Sequence, residues 1–272
     1  MAGENRMVFY DIASDEPLRT FAPNPWKTRL ALNYKCLPYR TEWVHMPDIR
    51  QLRESLGVPA NRTSPDGSPY HTLPLLHDPK TGKYVGDSFE IAQYLDAQYP
   101  DTPRLFRPNT VGLTAGWNFH IDTLFTRYTP LCGEMPFDPK HKEKIYSMFA
   151  SRMATMKEPP ANSVADPTKA MSEFETALGE LLKSFRHTGG TTDRYFRPGG
   201  TAEAEVQCAP KGREGKVWLD GDEPVYADFI VGAWLKMFEA SMKAEDWQEV
   251  RKWQGGFWGS LVDALEPWTQ IK

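Results

Sequence analysis

A proline at the start of a predicted strand is the first feature that could do chemistry. Pro74 follows Leu73 in the segment TLPLLHD, whose apolar residues are typical of a strand. Proline has no backbone N–H to donate to a neighbouring strand, so within a sheet it is tolerated mainly at positions such as the first residue of a strand. A cis peptide bond in a tight turn is one way to place it there. A cis bond would expose the backbone N–H and C=O of Leu73 to a peptide-like ligand. An ordinary strand-initiating proline explains the same residues.

The pair Asp87 and Ser88 opens the helical pattern SFEIAQYLDAQY and forms a second candidate site. Ser88 can cap this helix, and the N-terminal amides and the helix dipole favour an anion there. A bound carboxylate would be held by the Ser88 hydroxyl and amide, while the Asp87 carboxylate could bind an ammonium group. Together they suit the head group of an α-amino acid, although helix capping alone also accounts for them.

A third candidate is the segment TFAPNPWKTRLAL, between the first predicted strand and the first predicted helix. Asn24 and Pro25 are favoured as the N-cap and the first helical residue. The helix N-terminus therefore faces solvent and favours a thiolate or another anion. Thr20, Asn24 and Trp26 are the side chains that could contact a ligand here.

The elements that must position these segments form an α/β half and a helical half. The first half, residues 1–102, predicts the order β-α-β-α-β-β-α. The second half, residues 103–272, predicts helices at about 110–129, 139–157 and 168–186, and a strongly apolar helix in YADFIVGAWLKMFEASM. Within the second half, before the apolar helix, a long Gly-rich insertion at about 187–215 has no clear period.

The first predicted helix carries an apolar stripe formed by Trp26, Leu30 and Tyr34. Lys27 and Arg29 fall on other faces of this helix.

Composition excludes several classes of protein. The chain has 272 residues, of which 40% are hydrophobic and 25% charged, and its net charge is −4. One or two globular domains are expected, with no electrostatic reason for a nucleic acid or membrane partner. Its three cysteines are far apart and form no CxxC pair, which argues against a disulfide framework or a cysteine-based zinc site. We expect no bound metal, no signal peptide and a cytoplasmic location.

Taken in order, these motifs resemble those of the cytosolic glutathione transferases. APNPWKTRLAL is similar to the active-site turn of the family, LPLL to its cis-proline turn, and DSFEIAQYL to the helix start that binds the γ-glutamyl group. DGDEPVYADFIVGAWL resembles its folding signature around a buried aspartate, here Asp228. The resemblance covers nearly the whole chain. It implies the glutathione transferase fold, an α/β thioredoxin-like N-terminal domain plus an all-α C-terminal domain, and a homodimer.

The resemblance also implies a glutathione site. Leu73, beside a cis Pro74, would make two backbone hydrogen bonds to the cysteinyl part, while Asp87 and Ser88 would contact the γ-glutamyl part. Further glutathione-binding candidates are Trp26, and Lys27 and His45 for the glycine carboxylate. Asp228 would be structural. NPWKTRLALNYK and the insertion look most like the fungal etherase-related class.

Two residues depart from the family pattern. Where the active-site turn usually has Ser, Cys or Tyr, this chain has Ala22, which cannot donate a hydrogen bond to a thiolate. Asn24 is the best replacement by position, because its amide has two donors, although its expected capping role competes. Val225 stands where the capping box around Asp228 would have Ser or Thr.

A second-substrate pocket is expected along the helix TAGWNFHIDTLFTRYTPL, and its aromatic side chains suit aromatic or phenolic molecules. The predicted lining residues are Trp117, Phe119, His120 and Thr123.

Two functions remain open. One is an enzyme that conjugates glutathione or cleaves aromatic ethers by thiolysis. The other is a ligandin-type protein that binds the same molecules with little turnover.

Overall fold

The structure, a computed structural model, describes residues 6–16, 18–64, 66–133, 135–154, 166–186 and 217–272. The insertion predicted at about 187–215 lies outside these ranges. The described residues form an α/β unit followed by a helical region, which is the predicted fold class.

The elements of the α/β unit follow the predicted order, with one addition. In chain order they are β1 (Met7–Ile12), α1 (Pro23–Tyr34), β2 (Tyr39–Val44), α2 (Ile49–Ser55), β3 (Arg62–Thr63), β4 (Pro69–Tyr70), β5 (Leu75–Asp78), β6 (Lys83–Gly86) and α3 (Ser88–Gln98). The main sheet has the order β2-β1-β5-β6, in which β2 is parallel to β1 and the other neighbours are antiparallel. The addition is the small β3–β4 ribbon, whose two-residue strands are too short to show a period in the sequence.

The helical region confirms the helices predicted from periodicity. It contains α4 (Val111–Tyr128), α5 (Lys142–Ala154), α6 (Pro167–Arg186), α7 (Tyr226–Ser241) and α8 (Ala244–Ala264). The backbone of α8 is non-helical at Trp253–Gly256, so this element is two helices joined at a kink. Within the described ranges, no helix is long and apolar enough to cross a membrane.

The two charges of α1, Lys27 and Arg29, are buried although they lie outside the apolar stripe of the helix. Both side chains are fully buried, because α1 packs against the sheet-bound α3 on one side and against α7 on the other. Each charge has a carboxylate partner on another element, Asp122 on α4 for Lys27 and Asp11 on β1 for Arg29. Such pairing is what makes a charge tolerable in a core.

Asp228, in the first turn of α7, has the expected structural role. Its buried carboxylate accepts hydrogen bonds from the amides of Leu219 at 2.6 Å and Val225 at 2.8 Å. The Val225 side chain cannot complete the capping box, and the Asp228 amide donates to the Val225 carbonyl at 2.9 Å instead. Burial raises the pKa of Asp228 to about 7, although the hydrogen bonds from the Leu219 and Val225 amides act to lower it.

Candidate functional site

The turn before β5 presents a backbone that is free to bind a ligand. The Leu73–Pro74 peptide is cis, as predicted. Among the residues that the structure describes, neither backbone polar group of Leu73 forms a hydrogen bond. A buried peptide group without a partner is uncommon in a folded protein, so this turn is a natural contact for the backbone of a peptide-like molecule.

The N-terminus of α3 is capped by Asp87 and not, as predicted, by Ser88. The Asp87 carboxylate accepts from the Phe89 amide at 2.8 Å, and Asp87 has a positive φ of 75°. A non-glycine residue in this conformation is typical of functional turns. Ser88 is the first residue of α3, only 3% exposed, and its carbonyl accepts from the Tyr226 hydroxyl at 2.8 Å. The helical region therefore fixes the start of α3.

Arg62 is a residue of this corner that sequence reasoning missed. Its guanidinium lies 4.0 Å from the Asp87 carboxylate, and both side chains are partly exposed. The two residues are far apart in sequence and meet because the β3–β4 ribbon lies beside the start of α3. The corner thus offers both charges to a ligand that carries an ammonium and a carboxylate group.

The active-site turn places Asn24 inside α1 and not at its N-cap, which corrects the prediction. The helix begins at Pro23, and its N-cap, Ala22, makes no side-chain hydrogen bond. Asn24 Oδ1 accepts from Lys27 Nζ at 2.9 Å. Because an ammonium can only donate, this contact assigns the oxygen of Asn24 to Lys27 and leaves the amide group for another partner. The capping role expected of Asn24 is therefore absent and does not compete for its amide group.

The ammonium of Lys27 is bound by acceptors of the protein itself. This leaves no proton free for the predicted contact with a glycine carboxylate. Its ammonium lies 2.9 Å from Asn24 Oδ1, 2.9 Å from Asn118 Oδ1 and 2.6 Å from Asp122 Oδ1. These contacts use its three protons. Burial lowers the pKa of Lys27, and the Asp122 carboxylate opposes this effect. Asp122 also accepts from the Trp234 indole at 2.7 Å, so the network joins α1, α4 and α7.

Two other side chains of the turn are enclosed. Trp26 is 5% exposed, and the Lys236 ammonium lies 5.5 Å from the centre of its ring. Thr20 is fully buried. Their predicted contacts with a ligand stay predictions, and each would need the ligand to reach a closed position.

His45, the second candidate for the glycine carboxylate, lies just after β2. Its ring stacks on that of His141 with 3.9 Å between centroids, and Asp138 lies beside both. A neighbouring carboxylate disfavours a bound anion, so this role of His45 has little support from its surroundings.

The four residues predicted to line a substrate pocket on α4 are spread over its surface. The Trp117 indole donates to the Ala227 carbonyl at 3.1 Å, and Phe119 is 75% exposed. His120 and Thr123 are also exposed. None of the four lines the cavity beside Leu73, and their role in binding stays a prediction.

That cavity, of about 300 Å³, is lined by apolar residues of β1, the α2 region and α5 and, on another side, by largely polar residues of the β3–β4 ribbon, its loop and the turn before β5. Met46 and Ile49 come from the α/β unit, and Met148 and Phe149 from α5. Its volume is at the lower end for small-molecule sites. The sequence signal was the pair Met148 and Phe149 on a predicted helix, which is indistinguishable from core packing without the partner surface.

Comparisons with known proteins agree with this arrangement. Residues 21–98 match the family described as "Glutathione S-transferase, N-terminal domain", and residues 171–268 match "Glutathione S-transferase, C-terminal domain". The chain is 26% identical to the glutathione S-transferase-like protein ustS of Aspergillus flavus, over 98% of this chain and 92% of that protein.

Solved structures of fungal glutathione transferases are similar over almost the full length. CsGST63524 of Ceriporiopsis subvermispora, solved in complex with glutathione, has a TM-score of 0.78 at 29% identity, covering 98% of this chain and 99% of the other. GSTFuA3 of Phanerochaete chrysosporium has a TM-score of 0.77 at 27% identity, covering 98% of both chains. With both domains matched and the fold shared throughout, the chain belongs to the glutathione transferase family.

Proposed function

We propose that this chain binds glutathione between the Leu73 turn and the start of α3, and uses the thiol as a nucleophile on aromatic molecules. The observation that carries the proposal is the unpartnered backbone of Leu73 beside a cis proline. It supports two hydrogen bonds to the cysteinyl part. Asp87 and Ser88 then receive the ammonium and the carboxylate of the γ-glutamyl part, with Arg62 as a further cation.

Asn24 supplies the hydrogen bond that Ala22 cannot give. With its oxygen held by Lys27, the Asn24 amide can donate to the thiolate, which favours ionisation. The chemistry is attack of the thiolate on an electrophilic carbon of the second substrate, with departure of its leaving group. If the second substrate is an aryl ether, the leaving group is a phenolate and the reaction is a thiolysis, as the resemblance to the etherase-related class implies.

A ligandin-type function is the second candidate, because Ala22 removes the usual donor at the thiol. In that case glutathione and aromatic compounds bind at the same places with little turnover.

The homodimer expected from the resemblance is also part of the proposal. Leu113 and Phe119 on α4 have exposed apolar side chains, and a dimer interface on this helix would bury them.

Ser88→Ala tests the glutathione site. Loss of the hydroxyl removes a hydrogen bond to a carboxylate, so the affinity for glutathione should fall by about 1.5–3 kcal/mol, or roughly 10- to 150-fold. Isothermal calorimetry measures the change, and Ser260→Ala, at an exposed serine of α8, is the matched control. Unchanged affinity in Ser88→Ala would place the anion elsewhere.

The ligand class is tested at the cavity beside Leu73. Flat phenolic compounds should raise the melting temperature more than aliphatic electrophiles of similar size, because ring stacking adds roughly 0.5–1.5 kcal/mol to area burial. At about 100 times Kd, a ligand stabilises the protein by about 2.7 kcal/mol. Phe149→Ala should reduce this shift, whereas Phe119→Ala, at an exposed ring, should not. The reverse pattern would favour the predicted surface on α4.

A further inference from the structure

The cluster of His45, Asp138 and His141 has the composition of a transition-metal site, and we propose that it binds one divalent ion of the Zn²⁺ class. Its three potential ligand atoms lie within 4.8 Å of one another. The three side chains are partly exposed, with 34% of His45, 24% of Asp138 and 29% of His141 accessible, so an ion can enter.

The distances fit coordination better than hydrogen bonding. Asp138 Oδ2 lies 3.8 Å from His45 Nδ1 and 3.6 Å from His141 Nδ1. A hydrogen bond would need about 3.2 Å or less. Ligands about 2.1 Å from a tetrahedral Zn²⁺ are separated by about 3.4 Å along an edge. Shifts of a few tenths of an ångström would bring Asp138 Oδ2 to that separation from each of the two nitrogens.

A buried nitrogen without a partner points to a ligand. His141 Nδ1 is inaccessible to solvent and forms no hydrogen bond among the residues that the structure describes. Buried polar atoms are normally satisfied, so an unpaired one beside a carboxylate oxygen calls for an ion or a proton. The two imidazoles stack with 3.9 Å between ring centroids and 23° between ring planes, and a metal ion lies in the plane of each imidazole that binds it. Coordination of one ion by both nitrogens therefore requires one of the two partly exposed rings to rotate out of the stack.

The carboxylate is held in place for this role. Asp138 Oδ1 accepts from the Lys140 amide at 2.9 Å, and the Asp138 carbonyl accepts from the His141 amide at 2.9 Å. The resulting turn fixes Oδ1, and Oδ2 faces the two histidines. Phe137 packs edge-on against Phe21 with 5.5 Å between ring centroids, which ties the turn to the segment before α1.

The donor set selects the class of ion. Two imidazole nitrogens and one carboxylate suit Zn²⁺ and its first-row neighbours, whereas Mg²⁺ and Ca²⁺ prefer oxygen ligands. Three protein ligands leave the fourth position to water or to a small ligand. His45 belongs to the α/β unit, and Asp138 and His141 to the helical region, so the ion would join the two. Met46, the neighbour of His45, lines the cavity beside Leu73, which places the ion near its edge.

The test uses the untagged, full-length protein after removal of metal by a chelator, with no glutathione present. Calorimetry with Zn²⁺ should show one ion bound per chain, and the melting temperature should rise until the site is saturated. His141→Ala and Asp138→Asn should each weaken binding by at least about tenfold and abolish the rise. His77→Ala, at a histidine stacked on Tyr84 away from this cluster, should bind like the wild type.

Substitution with Co²⁺ identifies the ligands even where a variant folds poorly. Nitrogen and oxygen ligands should give the visible bands of tetrahedral Co²⁺ without a thiolate charge-transfer band. That band would show that a cysteine, such as the exposed Cys36, holds the ion, and would overturn the proposal. Absence of stoichiometric binding in the wild type, or wild-type affinity in His141→Ala and Asp138→Asn, would overturn it as well, leaving the cluster as an ion pair only.

Discussion

Arg29→Met is expected to lower the free energy of unfolding by about 3–5 kcal/mol, since it leaves the Asp11 carboxylate buried without its partner. Arg29 Nη2 lies 2.7 Å from Asp11 Oδ2, and both side chains are inaccessible to solvent. The guanidinium is also enclosed by the rings of Phe9, Tyr39 and Trp43, at 5.0–6.0 Å. This pair joins α1 to β1 directly beneath the active-site turn.

Chemical denaturation measures this loss, and Arg50→Met is the matched control. Arg50 pairs with Glu54 in the solvent, where an ion pair contributes little to stability. Burial raises the pKa of Asp11, while Arg29 opposes that effect. Without Arg29, the folded state binds a proton that the unfolded chain does not, so the loss should shrink as the pH falls from neutral and return as it rises. A loss that matches Arg50→Met would contradict the importance of the buried pair.

Lys27→Met should raise the pKa of the thiol of bound glutathione by about 1–2, an effect that rests on the proposed function. Without the ammonium, Asn24 Oδ1 loses the donor that fixes the direction of its amide. Loss of one hydrogen bond to a charged group costs about 1.5–3 kcal/mol, and 1.36 kcal/mol corresponds to one pKa unit. Ultraviolet absorbance of the thiolate as a function of pH measures the change.

A double-mutant cycle with Asn24→Ala separates the positioning role of Lys27 from its charge. If Lys27 acts through Asn24, then Lys27→Met should change the thiol pKa little in the Asn24→Ala background. An equal rise in both backgrounds would mean that the lysine charge acts directly on the thiolate. Circular dichroism and thermal denaturation of each variant check the fold, because Asp122 also loses a partner.

Local signals marked the position of the Leu73–Pro74 turn and the start of α3, while the cis bond was expected only from the family resemblance. A proline before an apolar run and two capping residues before a helical period are contained in a few consecutive residues. The choice between Asp87 and Ser88 as the cap was wrong, because both types can cap and the positive φ of Asp87 decides it.

Features that depend on distant partners could not be predicted. The burial of Lys27 and Arg29 could not be predicted, because the pattern of one helix does not show the carboxylates on β1 and α4 that pair with them. The cluster of His45 with Asp138 and His141 joins positions more than 90 residues apart. Tertiary contacts override local periodicity in both cases.

The pKa of the thiol of glutathione bound to the wild-type protein tests the central claim most directly. Absorbance of the thiolate is followed as a function of pH at saturating protein, with free glutathione and the Asn24→Ala complex titrated alongside. If Asn24 replaces the missing hydroxyl, bound glutathione ionises at a lower pH than free glutathione, and Asn24→Ala moves the transition back towards the free value. A wild-type transition at the free value, or one that Asn24→Ala leaves unchanged, would contradict thiol activation by Asn24.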